Sequence, residues 1–365
     1  MDKNKAALER AIYYVEKGSD KVERSRPYVR FWLYAVAFLV FVMVVVGGIT
    51  RMTDSGLSIT EWKPIHGAIP PLSLAEWNEE FLKYQQIPEY ERVNKGMTLD
   101  EFKTIFWWEW GHRQLGRFIG IAFFLPMLYF WLGKRIAPTL KPRLLILLAL
   151  GGLQGVVGWW MVASGLVDRV DVSQYRLASH LTLASLILFA LLWVGRGYRG
   201  NATFRECVSA DRHIWSFGIL VVCIFLQIFL GALVAGTHAG LIFNSWPLMD
   251  GSFIPERIYD TSPIALSMFE DHATIQFNHR MMAYLLAIIA GVSWLRLQRD
   301  AYATEMMLPA NILGILILLQ IIVGIATLLF SVPFALGLAH QAGAMLVLAS
   351  GAILLRDLYD NAKKF

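Results

Sequence analysis

Eight stretches of about twenty predominantly apolar residues, each long enough to cross roughly 30 Å of hydrocarbon at 1.5 Å per residue, recur along this 365-residue chain. They lie near 31–50, 112–132, 144–163, 177–194, 214–235, 274–295, 308–330 and 334–355. A bilayer core offers no water to backbone polar groups, so each stretch is read as a helix that satisfies its own N–H and C=O groups. The chain is 56% hydrophobic and 17% charged, too apolar for an ordinary soluble domain. The fold class expected is therefore an all-α integral membrane protein of about eight transmembrane helices.

The formal charge of +5 does not point to nucleic acid, because the basic residues sort by side of the membrane. Lys134, Arg135, Lys141 and Arg143 lie between the second and third stretches, and Arg196, Arg199, Arg205 and Arg212 between the fourth and fifth. Arg296 and Arg299 follow the sixth, and Arg356, Lys363 and Lys364 follow the eighth. With the basic leader, residues 1–30, this places both termini in the cytoplasm by the positive-inside rule. Asp2, Glu9, Glu16, Asp20 and Glu23 make the leader unlike an acid-poor transit peptide, and no short cleavable apolar region precedes the first stretch, so a bacterial inner membrane is expected. Cys207 falls in a cytoplasmic loop and Cys223 within the fifth stretch, so no structural disulfide is expected.

The order of features in the first half recurs in the second. Gly47, Gly56, Trp62, Gly67 and Pro71 align without gaps on Gly231, Gly240, Trp246, Gly251 and Pro255. Further on, His112-Arg113 meets His279-Arg280, Gln154 and Gly158 meet Gln320 and Gly324, and His180 meets His340. Four spans per copy is an even number, so both copies enter the membrane in the same direction, unlike inverted transporter repeats. The organisation read from this is two tandem, parallel four-helix bundles, residues 31–200 and 201–365. A long outer loop, 51–105, interrupts the first. It carries Ser73 with Glu76 and Thr98 with Glu101 at capping-box spacing, which predicts two outer helices, the second running into the second span. Trp62, Trp77, Trp107, Trp108 and Trp110 are read as an interfacial aromatic belt without chemistry.

Four of the eight histidines behave alike. His112, His180, His279 and His340 each fall near the start of an even-numbered span, hence at one shared depth near the outer face. A lone membrane histidine is ordinarily a satisfied polar group, but two per repeat at matched depth point to ligation. Zinc wants about four protein ligands, or three plus water, which two histidines per half do not supply. Haem iron needs only two axial ligands, and a four-helix bundle interior accommodates the macrocycle. Gly116, Ala184, Ala283 and Ala344, one turn beyond each histidine, leave room for a flat ring. Arg113, Arg117 and Arg280 are candidate propionate partners, with snorkelling to the outer headgroups as the equal alternative. His66, His213, His238 and His272 read as exposed or interfacial side chains. The halves differ beside the first histidine: Glu109 shares a helical face with His112, and its counterpart beside His279 is Gln276. Glu109 is thus the candidate acid for proton transfer at one site only, a structural carboxylate being the alternative.

The segments GGITRMTDSGLSITEWKPIHGAIPP, EWGHRQLGR, LQGVVGWWMVASGL, LGALVAGTHAGLIFNSWPLMDG, QFNHR and LAHQ, spread over nearly the whole chain, resemble the haem A synthase family. The resemblance implies that His112 and His180 flank the substrate haem O, that His279 and His340 ligate a resident haem B, and that Glu109 is the catalytic acid. It implies oxidation of one methyl group of haem O, through the alcohol haem I, to the formyl group of haem A, the haem of haem–copper terminal oxidases. Partners so implied are haem O, an electron-transfer partner of unspecified identity, haem O synthase, terminal-oxidase assembly factors and a second copy of the chain in a homo-oligomer. The outer-loop cysteine pair of some bacterial members is absent, which places the chain nearer the alphaproteobacterial and mitochondrial branch. For the oxidation, electron removal with water as nucleophile is preferred to a dioxygen route, since two bound histidines leave the substrate iron no open position. The rival readings are a di-haem b cytochrome acting as a quinol or ferric reductase, which has no use for Glu109, and a transporter, for which Gly151, Gly155 and Gly158 are the only hint.

Overall fold

The computed structural model describes residues 2–199, 209–256 and 258–362, with side chains from residue 20 onward. In chain order the α-helices are α1 (Asp2–Met52), α2 (Leu74–Tyr84), α3 (Pro88–Arg92), α4 (Leu99–Leu132), α5 (Lys141–Val162), α6 (Gln174–Gly197), α7 (Ala210–Gly236), α8 (Ile264–Glu270), α9 (His272–Gln298), α10 (Thr304–Leu329) and α11 (Phe334–Ala362). Eight of them are long and apolar enough to span a membrane: α1, α4, α5, α6, α7, α9, α10 and α11. Apart from an isolated bridge between Met249 and Ser252, the described residues hold no β-structure. The 200/201 boundary expected between the two halves, and Cys207, lie outside the described residues. Cys223 is a free, buried thiol.

Both predicted capping boxes are formed. Ser73 accepts from the Glu76 N–H and caps α2, while Thr98 accepts from the Glu101 N–H and caps α4; each glutamate carboxylate in turn accepts from the N–H of its cap residue. Helix α4 therefore starts in the long loop after α1, at Leu99, and runs unbroken past His112. The start of α9 is set by Asp271, which accepts from the N–H groups of Ala273 and Thr274. His272, expected in the outer loop, is accordingly the first residue of that helix. The short helices α3 and α8 carried no strong sequence signal.

The eight spans form a central and a peripheral set. Between 33% and 44% of the most apolar window is buried in α1, α6, α7 and α11, against 6–22% in α4, α5, α9 and α10. The central four pack on one another, α6 on α7 and α1 and α11 on both α6 and each other's flanks, so one continuous core runs from Val29 to Leu358 across both halves. Each peripheral helix leans on a sequence neighbour of the central set: α4 on α1, α5 on α6, α9 on α7 and α10 on α11. At the end of the core nearest the chain's C-terminus, Asp357 is fully buried between Arg196 and Arg199, each 2.7 Å away, and Arg356 pairs with Asp360 at 2.8 Å. A buried carboxylate persists only with such partners, so this cluster locks α6 to α11. Outside the spans, Tyr84, Phe102 and Phe106 form a separate aromatic core with Trp77 and Phe81, which holds α2 and α3 against the outer extension of α4.

Candidate functional site

Each of the four histidines packs against a glycine on the neighbouring helix of its pair. A Cβ added at Gly47 on α1 would stand 3.2 Å from the ring of His112 on α4; at Gly158 on α5, 2.9 Å from His180 on α6. At Gly231 on α7 it would stand 3.1 Å from His279 on α9, and at Gly324 on α10, 2.7 Å from His340 on α11. All four contacts join the late part of one helix to the early part of the next, which puts the four rings at one end of the helix assembly. Only glycine leaves room for imidazole at these crossings.

A glutamine one turn before the glycine holds three of the four rings. Gln154 Nε2 lies 3.2 Å from Nδ1 of His180 and donates to its carbonyl oxygen at 3.1 Å. Gln320 does the same for His340 at 3.1 and 2.8 Å, and Gln227 for His279 at 3.1 and 3.1 Å. Gln227 was not singled out in the sequence, although the signal was available: glutamine four residues before glycine occurs on α5, α7 and α10 in the same register. On α1 the corresponding residue is Met43.

The residues present fit an iron macrocycle. His279 and His340 face each other with ring centroids 6.4 Å apart and planes at 81°. Two metal–nitrogen bonds of about 2.0 Å, with roughly 1.1 Å from each nitrogen to its ring centre, require a separation of about 6 Å. Gln154 Oε1 and Gln227 Oε1 are buried acceptors without a donor. An imidazole that ligates through Nε2 carries its proton on Nδ1, and rotation of the amide then satisfies both groups. The two facing imidazoles of His279 and His340 suit an iron whose equatorial positions are already filled.

Glu109 is 2% exposed, and its position repeats in the other half with one change. Its Oε2 accepts from Ser58 Oγ at 2.8 Å and from the Ile59 N–H at 2.7 Å, while Oε1 pairs with Arg113 at 2.6 Å. Arg113 in turn donates to the carbonyl oxygens of Ile59 at 2.7 Å and Glu61 at 3.0 Å. In the second half Arg280 donates to the carbonyl oxygens of Phe243 at 2.8 Å and Ser245 at 2.9 Å, the residues aligned with Ile59 and Glu61. Gln276 accepts from Arg280 at 3.3 Å and donates to the Phe243 carbonyl at 3.2 Å. Arg117 reaches the carbonyl oxygens of Lys63 and Pro64 at 3.1 and 2.9 Å. The three arginines thus clasp the loops before α4 and α9 against these histidine-bearing helices, a third arrangement beside propionate pairing and snorkelling. Of their buried nitrogens, Arg280 Nε alone is without a partner.

The remaining histidines separate from this group. His66 is exposed in a short 3₁₀ turn, and His238, half exposed, lies 3.3 Å from Asp171. His213, expected at an exposed or interfacial position, is instead 5% exposed and bound to Asp300 at 2.9 Å. That ion-pair geometry closes α7 onto the turn after α9, which the loop sequence did not reveal.

The chain is similar over most of its length to a family model and to proteins of known name. A family model described as cytochrome oxidase assembly protein matches residues 30–351. The heme A synthase of Chelativorans sp. (strain BNC1) is 53% identical over 334 residues, covering 90% of this chain and 91% of its own. That of Brucella anthropi is 52% identical over 332 residues, covering 91% and 92%, and that of Parvibaculum lavamentivorans 51% over 328 residues, covering 90% and 93%. With the match extending from the first spanning helix to the last, the chain belongs to the cytochrome oxidase assembly family that contains these haem A synthases.

Proposed function

We propose that this chain is a haem A synthase, an oxidoreductase that converts a methyl group of haem O, by way of haem I, to the formyl group of haem A. It works as a multi-pass protein of the bacterial inner membrane, with both termini in the cytoplasm and the four histidines toward the outer face. His112 and His180 hold the substrate haem, and His279 and His340 hold a resident haem B. The two four-helix units, 31–200 and 201–365, divide chemistry from electron relay. Haem B, when bound, supplies a one-electron relay.

The observation that carries the division is the pair Glu109 and Gln276. Each holds the arginine four residues on, each bonds the backbone of the aligned loop residue, Ile59 or Phe243, and each sits three residues before a histidine. A glutamine therefore suffices for the loop clasp, and what Glu109 adds is an ionisable oxygen. With water as the oxygen source, conversion of a methyl to a formyl group releases four protons and four electrons; Glu109 accepts protons within the first half, and the electrons would leave through haem B to an external electron acceptor. Arg113 and the Ile59 N–H keep that carboxylate oriented and compensate its burial. Arg113 and Arg117 spend their donors on loop carbonyls and act by closing the outer end of the substrate site. Arg280 Nε is the donor available to a propionate of the resident haem.

The test is extraction and chromatography of the haems bound to the wild-type protein and to Glu109→Gln, each purified from cells that make haem O. The wild type should yield haem B together with O, I or A types. Glu109→Gln should bind haem as before, because Gln276 shows that the amide keeps the clasp, while haem A formation falls by about 10²–10⁴-fold, the usual cost of lost acid–base catalysis. Formation of haem A at the wild-type rate by Glu109→Gln would make the carboxylate structural. Haem B alone in the wild type would replace the enzyme by an electron-transfer cytochrome.

A further inference from the structure

Substrate haem must enter and product haem must leave, so in the first half both histidines would have to release and rebind the iron in every cycle, one giving way first, whereas both in the second half would stay bound. The four imidazoles are not held alike. His180, His279 and His340 are each tied by a glutamine, through ring and carbonyl oxygen together, from one turn before the facing glycine. His112 has Met43 at that place, and among the described residues no hydrogen bond reaches its ring. A thioether donates nothing to an imidazole.

The ring orientation differs accordingly. The three anchored rings turn Cε1 toward the facing glycine, with Nδ1 next. His112 turns Nε2 toward Gly47, at 3.2 Å from the position of an added Cβ, with Cδ2 next at 3.8 Å. The ring without an anchor thus lies with its ligating edge against the α1 backbone instead of in the common pose. Met43 points past it, its Cε 3.4 Å from a Cβ built on Gly116, one turn beyond His112.

We propose that His112 is the ligand of the pair that gives way first: its ring would swing aside to let haem pass, His180 would release and rebind haem from an anchored ring, and methionine at position 43 is what leaves His112 free. Residue 43 is then a positioning residue that acts through His112. The inference rests on the reading of the first half as the substrate site. Outer hydrogen bonds to metal-ligating histidines typically change metal affinity by 10–100-fold. Installing the fourth anchor should slow haem exchange at the first site by that order, and removing one should loosen the second.

The experiment uses full-length wild type, Met43→Gln and Gln227→Met purified in detergent with bound haem. Excess apomyoglobin serves as haem acceptor, the transferred haem is typed by chromatography, and carbon monoxide difference spectra of the reduced protein report open axial positions. Wild type should lose O- or A-type haem first and bind carbon monoxide only there. Met43→Gln should slow that loss roughly tenfold or more and weaken carbon monoxide binding, with haem B unaffected. Gln227→Met, which gives His279 the setting of His112, should make haem B bind carbon monoxide. Unchanged exchange in Met43→Gln together with a carbon monoxide-silent haem B in Gln227→Met overturns the proposal; should Met43→Gln not fold, Gln227→Met decides alone. A wild type that carries only haem B refutes the substrate-site reading instead, and the Gln227→Met result still decides whether the glutamine is the anchor.

Discussion

Replacing Gly324 by alanine is the most quantitative probe of the histidine crossings. The added Cβ would stand 2.7 Å from Cε1 of His340, where ordinary contact begins at 3.4 Å, so ring or helix must give by about 0.7 Å. The ring cannot swing freely, because Gln320 holds both its Nδ1 and its carbonyl oxygen. Nor can α10 simply retreat into lipid, since it packs along α11 and α9. Overpacking of this kind costs about 1–3 kcal/mol, and metal–ligand distances tolerate only about 0.2 Å. Gly324→Ala should therefore lose most of the low-spin b-type signal in reduced-minus-oxidised spectra. The gaps at the other crossings, 2.9 Å at Gly158, 3.1 Å at Gly231 and 3.2 Å at Gly47, rank the remaining alanine variants in decreasing severity. Haem content per mole of purified protein, typed by extraction, reads the series. A Gly324→Ala protein with full haem B and an unshifted spectrum, or a series in which Gly47→Ala is the most damaging, would refute the geometric reasoning.

Two further outcomes are expected. Glu89, 5% exposed in α3, has its carboxyl pushed up to about 8 by burial, reinforced by the charges of Asp54 and Glu109. The folded state keeps a proton that the unfolded chain gives up near pH 4.5, so stability of the outer-loop unit falls as pH rises from about 4.5 to 8, by at most about 1.4 kcal/mol per unit, and is level above. Glu89→Gln should flatten that slope in tryptophan-monitored melts between pH 5 and 9; equal slopes in both proteins would remove Glu89 as the cause. For topology, a cysteine at Lys141 in a Cys207→Ser background should react with an impermeant maleimide in inside-out vesicles and not in spheroplasts; the reverse pattern would invert the orientation.

Much of this molecule was legible in the chain because membrane spans, caps and repeated motifs are local signals. The spans and both capping boxes lie where residue pattern put them, and each of the four histidines packs on a glycine of a neighbouring span. The division into central and peripheral helices was not legible, for a physical reason: lipid tails are as apolar as a protein interior, so nothing in composition tells a helix which it will face. Ala210–Gly236 and Ala301–Leu329 have the same mean hydropathy, yet the first is central and the second peripheral. The arginine clasps escaped notice because their partners are backbone carbonyls, which leave no trace in side-chain sequence. Gln227 was missed because its alignment partner, Met43, breaks the repeat at the one place where the halves differ in how they hold a ring.

Under the proposed division into two haem-holding units, the shared core of α1, α6, α7 and α11 bears on why both would reside in one polypeptide. Two copies of a four-helix chain could in principle meet through the same central faces as a twofold dimer, but every substitution in such a dimer appears at both sites at once. A glutamate placed beside one haem would stand beside the other, and a methionine that frees one ligand would free its twin. Covalent fusion removes that constraint. It lets the first unit carry Glu109 where the second carries Gln276, and Met43 where the second carries Gln227, while the central helices still pack together. Specialisation of one site against the other is thus a property of the linkage as much as of any side chain.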